Sequence, residues 1–156
     1  MSKIDINYWM KDVEFGQRRG RLIREFLDLM DPEYQKRNWI KKGDKPSFRN
    51  GICCAIEMIF DELDFRDFLE KEEMPNECIG WYLKSVKEAE ALYEVAKYLR
   101  PLGDNCYTNQ EFLESPYLPK VHKASRGAFE IFMENEKDNV EFCKFIEDLK
   151  KQEGRM

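Results

Sequence analysis

A single histidine, His122, occurs in 156 residues. That excludes a multi-histidine metal centre, and any imidazole-dependent mechanism must run through this one side chain. Glycine (8) and proline (6) are scarce, which excludes a loop-rich sandwich and a low-complexity chain. No stretch reaches the ~18 uninterrupted apolar residues of a membrane span. There is no Walker loop, no dinucleotide fingerprint, no nucleophile elbow and no calcium loop. The five cysteines are Cys53, Cys54, Cys78, Cys106 and Cys143. Their odd number and the absence of a CxxC pair argue against a closed disulfide framework. The first fifteen residues carry charges throughout and lack the apolar core of a signal peptide. These absences point to the reducing cytoplasm, with no membrane partner.

What is present is material for a core. The chain is 42% hydrophobic, 13% aromatic and 37% charged. Aromatics at that level repay the entropy of ordering. The length suits one domain over residues 1–156, able to bury about two-thirds of its unfolded surface.

The dominant period is helical. Phe15, Leu22, Phe26 and Leu29 form one stripe of a helix expected over 13–30, with Asp12 as its N-cap. Asp31-Pro32 stops it, because the residue before proline is pushed out of the α region. Residues 31–46 read as a connector with Trp39 as a buried anchor and a turn at Gly43-Asp44. Pro46-Ser47 opens a helix over 48–63, whose inner side is Phe48, Ile52, Ala55, Ile56, Ile59, Phe60 and Leu63. A short helical turn fits 67–75. Ser85-Val86-Lys87-Glu88 is a capping box opening a helix to about Leu99, terminated by Pro101 and Gly103. A second box, Thr108 to Glu111, opens a short helix to about Glu114. Helices over 120–134 and 139–152 follow. Only 4–8 and 78–83 suggest short extended pieces. The expectation is an all-α bundle of about six helices.

Catalytic constellations are thin. His122 reads as a structural histidine and Cys53 as a buried thiol. Glu57 and Asp61 stand one helical turn apart, and with His122 they suggest a metal-dependent hydrolase as a minor alternative. A solvated acidic face is the plainer reading of that pair. Arg21 can pair with Glu25 and Arg24 with Asp28. Arg18 and Arg19 lack such neighbours and stand as phosphate candidates.

The net charge is -5, which disfavours nonspecific nucleic-acid binding. The distribution says more than the total. Residues 17–49 carry ten basic and five acidic side chains, a net of +5. Residues 57–77 carry nine acidic and two basic ones, a net of -7. Glu57, Asp61 and Glu62 hold outer and C-terminal positions of the 48–63 helix, followed by Asp64. Acid near a helix C-terminus opposes its dipole, so helix stability does not explain them. Acid interleaved with Phe65 and Phe68 suits binding to a basic protein surface.

The segment Arg21 to Trp39 contains Asp31-Pro32-Glu33-Tyr34-Gln35-Lys36-Arg37 and then Trp39. It resembles the hallmark of a family of small, largely uncharacterised bacterial proteins, in which an amphipathic helix runs into D-P-E-Y-Q-R-R and a Trp. Ile59-Phe60-Asp61-Glu62 is similar to that family's later F-D-D helix. Phe112 to Val121 is similar to its Y-L-x-S-P-x-W-P-x-V, with Leu118 where the family often has Trp. The resemblance implies an immunity partner in a bacterial toxin locus. It supplies no catalytic residue to carry over, and no metal or cofactor is expected.

The sequence thus leads to a non-enzymatic immunity protein that binds a cognate toxin domain, a nuclease by charge. The expected partner-binding residues are Glu57, Asp61, Glu62, Asp64, Phe65, Asp67 and Phe68. The acids would imitate phosphates and the two phenylalanines would be apolar anchors. The alternative is a small RNA- or DNA-binding regulator using Arg18, Arg19, Lys36, Arg37, Lys41 and Lys42.

Overall fold

The structure, a computed structural model, describes residues 13–39, 52–63, 65–104 and 109–155. Eight α-helices lie among them: α1 (Gly16–Leu29), α2 (Pro32–Asn38), α3 (Ile52–Ile56), α4 (Arg66–Glu70), α5 (Val86–Asp104), α6 (Asn109–Leu113), α7 (Leu118–Asn135) and α8 (Val140–Gln152). A π-helical segment, Glu57–Glu62, continues α3, and a 3-10 turn spans Asn76–Cys78. No strand occurs among the described residues, so the fold is mainly α. None of the described helices is long and apolar enough to cross a membrane.

α7 is the centre. Val121, Ser125, Ala128, Phe129 and Phe132 are buried along it, the three-and-four spacing of one helical face. α1 and α5 pack on α7 more extensively than any other pair of helices. From α1 come Leu22, Ile23, Phe26, Leu27 and Leu29, all buried, and Phe26 meets Phe132 edge-on at 5.1 Å. From α5 come Ala89, Leu92, Val95, Ala96, Leu99 and Leu102, all fully buried.

The Asp31-Pro32-Glu33-Tyr34-Gln35 string does structural work at the α1–α2 corner. Asp31 Oδ1 accepts the Tyr34 N–H at 3.0 Å and caps α2, while Pro32 occupies the first turn, where an N–H is not needed. Gln35 is fully buried. Its Nε2 donates to the carbonyls of Asp28 (2.8 Å) and Leu29 (2.9 Å), closing the end of α1. Trp39 is buried as expected, and its carbonyl accepts from Asn109 Nδ2 at 3.3 Å.

Several boundaries differ from the sequence reading. The supposed connector contains α2, because Asp31 both ends one helix and caps the next. The expected cap Asp12, the Gly43-Asp44 turn, Ser47, Phe48, Thr108 and the 4–8 piece lie outside the described residues. α5 runs through Pro101 to Asp104. A proline this late in a helix removes one backbone bond, and the buried Leu99 and Leu102 keep the chain on course. Residues 78–83 are not extended. They form a tight turn with one isolated bridge, Ile79 to Leu83.

Candidate functional site

The acidic stretch begins in the π-helical segment. Leu63 N–H donates to the Met58 carbonyl at 2.9 Å and Phe65 N–H to the Ile59 carbonyl at 3.2 Å. Ile59, Phe60 and Leu63 face the core, so Glu57 and Asp61 face solvent. Glu62 and Asp67 are placed by their backbones in the π-helical segment and α4, and Asp64 lies outside the described residues. Further along, Glu70, Glu72, Glu73 and Glu77 are exposed. Among the described residues, none of the six exposed acids from Glu57 to Glu77 is ion-paired with a cation; the exposed pairs that do form lie elsewhere, as Lys97–Glu94 and Lys137–Glu134, each at 3.0 Å.

The aromatic half of the expected site is corrected. Phe65 is fully buried. Its ring lies 5.3 Å from Phe68 and 6.5 Å from Tyr93 of α5, so it seats α4 on the core. Phe68 is half-buried against the same cluster. Periodicity missed this because the bend at Leu63 breaks the helical count. Later in the chain, Trp81 does reach solvent, at 44% exposure.

The basic segment also changes character. Arg19 is fully buried. Its Nη1 and Nη2 donate to Glu88 Oε1 and Oε2 at 2.6 and 2.9 Å, and its Nε donates to Glu136 Oε1 at 2.7 Å. Nη1 also reaches the Tyr82 carbonyl at 3.1 Å, and the guanidinium lies 5.0 Å over the Phe132 ring. Lys84 Nζ adds a second cation to Glu136 at 2.7 Å. Burial works against the Arg19 charge, but the Glu88 and Glu136 carboxylates outweigh it and hold the group above its ordinary value. Arg19 is therefore no phosphate ligand. The sequence signal was its position, four residues after Phe15 and three before Leu22 on the apolar stripe. Arg18 is exposed, with its guanidinium 4.7 Å over the Phe15 ring. Lys36 and Arg37 are exposed on α2. Lys41, Lys42, Lys45 and Arg49 lie outside the described residues.

A second buried cation was not anticipated. Arg155 Nη2 binds Asp28 Oδ1 at 2.5 Å, and its guanidinium stacks 3.5 Å over the Tyr34 ring. Asp28 thus meets Arg155 across the fold. Its carboxyl is raised by burial, with Arg155 opposing. Burial, with Asp28 and Glu153 nearby, pushes the Tyr34 hydroxyl up to about 12.

The catalytic candidates are not brought together. His122 Nε2 lies 3.1 Å from Gln35 Oε1 at the α1–α2 corner. Burial, helped by Arg126, lowers its pKa and favours the neutral ring. No group of three or more His, Cys, Asp or Glu side chains with metal-binding placement occurs among the described residues. The thiols of Cys78 and Cys143 are both raised, chiefly by burial, which suppresses thiolate. The side chains of Cys53 and Cys54, and Cys106, lie outside the described set. A groove of about 510 Å³ between α5 and α7 has an apolar floor of Ala91, Ala124, Gly127 and Ile131. Its one carboxylate, Glu94, is bonded to Lys97.

No family model, no curated protein and no solved structure matches this chain.

Proposed function

We propose that the chain is a non-enzymatic immunity protein that binds and neutralises a cognate bacterial toxin domain, a nuclease whose substrate cleft is cationic. The observation that carries this reading is the acidic face from Glu57 to Glu77. Six of its carboxylates are exposed and form no ion pair among the described residues, while Arg19 and Arg155 are spent inside the fold. A run of exposed carboxylates with no ion pair among the described residues favours a cationic partner, and the same field speeds encounter with it. In this account the carboxylates stand in for the phosphates of the toxin's substrate. The resemblance carried by Asp31 to Trp39 supports the same assignment.

The test is co-expression. The toxic C-terminal domain encoded beside this gene is expressed with and without this chain. Growth restored by the chain supports the reading; growth no better with it than without it ends the reading.

A further inference from the structure

We propose that the turn over residues 74–83 is a preformed docking platform on which Trp81 anchors an arginine- or lysine-bearing surface of a partner protein. This rests on the protein-binding reading above and adds the anchor and the chemistry of what it grips.

The indole is exposed, but the backbone beneath it is fully engaged. Trp81 N–H donates to the Cys78 carbonyl at 3.0 Å, and the Trp81 carbonyl accepts from Phe15 N–H at 2.6 Å. Gly80 is tied on both sides as well, donating to the Leu83 carbonyl at 2.8 Å and accepting from Glu14 N–H at 2.9 Å. Its φ of 96° is a left-handed turn that suits glycine. Tyr82 and Leu83, which follow Trp81, are buried. Binding at this turn therefore costs little loop ordering, which is the usual tax on an exposed loop.

The surroundings state what would bind. Met74 and Ile79, in the same turn, are exposed at 40% and 36%. Glu77 is exposed and close enough to act on Cys78 and Tyr82. Glu70, Glu72 and Glu73 are exposed just before the turn in the chain, with Lys71 among them and Lys84 following it. Arg18 lies 4.7 Å over the ring of Phe15, whose N–H holds the Trp81 carbonyl. An indole face is the strongest neutral partner for a guanidinium or ammonium. An exposed glutamate in the same turn, Glu77, would supply the charge-assisted hydrogen bond that a bare aromatic lacks. Trp and Arg are also the residue types that most often dominate an interface.

The experiment uses the full chain, nitrogen-15 labelled, and a defined probe, a peptide of alternating lysine and leucine. Trp81→Phe assigns the indole resonance. The Trp81 indole N–H should shift on titration at low salt, and the buried Trp39 indole should not. Trp81→Ala should weaken the probe by roughly tenfold with the melting temperature retained. A glutamate–leucine peptide should not bind. Equal binding of the probe to wild type and Trp81→Ala, or equal binding of the anionic peptide, would overturn the platform. The co-expression assay separates the two proposals. Wild type that fails to protect ends the toxin reading while the probe result stands, and Trp81→Ala that binds the probe normally ends the platform while protection by wild type stands.

Discussion

Arg19 and Glu88 form a two-bonded ion pair at 2.6 and 2.9 Å, and neither side chain reaches solvent. Glu88 also accepts from the Lys84 N–H at 2.8 Å and from Asn135 Nδ2 at 2.6 Å. The pair joins the start of α5 to α1, and Glu136 joins both to the end of α7. Arg19→Met leaves two carboxylates in the core with Lys84, among the described residues, as the cation left to balance them. It should cost about 3–5 kcal/mol in urea unfolding. Adding Glu88→Gln should recover a substantial part of that loss, since one buried charge is then removed. A double variant less stable than Arg19→Met alone would show that the pair is not what orders this junction.

His122 gives the fold an acid-side weakness. Its pKa is lowered from 6.5 by burial and Arg126. The unfolded chain therefore takes up this proton more readily than the folded one. Stability is full above pH 6.5 and falls as the pH drops through the lowered folded value. Melting temperatures from pH 7.5 to 5 should show the fall, and His122→Gln should flatten it.

Tyr34 acts at the other end of the scale. Its hydroxyl is pushed up from 10 to about 12, first by burial. A raised folded pKa means stability is full below pH 10 and is lost as the pH rises toward 12. Tyr34→Phe should shift the alkaline unfolding midpoint upward; an unchanged midpoint would assign the alkaline loss to other groups.

Glu57 and Asp61 are exposed on the π-helical segment and make no ion pair among the described residues. Glu57→Lys with Asp61→Lys should alter stability by no more than about 0.5 kcal/mol per site. The double variant should nevertheless slow association with the toxin domain and reduce its salt dependence. Stopped-flow association at two ionic strengths checks this, and unchanged rates would remove these residues from the interface.

With Arg19 inside the core, the nucleic-acid alternative loses one of its two lead cations. Mixed-sequence RNA or DNA should show no binding at ~50 mM salt. Retention of either on a filter would reopen that alternative.

The fold was legible where one period governs a long segment. The stripes of α1, α5, α7 and α8 read directly, as did the cap at Ser85, whose bond is formed; the caps at Asp31 and Asn139 emerge only in the structure. The candidate site was legible only as charge. Local reading pairs residues three or four apart, and Arg19 finds Glu88 and Glu136 at 69 and 117 residues' distance. It therefore took a core cation for a surface one. Phe65 failed for a related reason: an aromatic in an acidic run looks exposed until α5 is packed over it. Trp81 carries no such signal in the sequence, since its exposure follows from a turn held by Phe15, Cys78 and Gly80, contacts that no periodicity encodes.

The most direct measurement of the central claim is the nuclease activity of the purified toxin domain titrated with this chain. The account predicts that activity falls in proportion to added protein and is abolished near about one equivalent, as tight association requires. Full activity in the presence of a large excess of folded chain would contradict it.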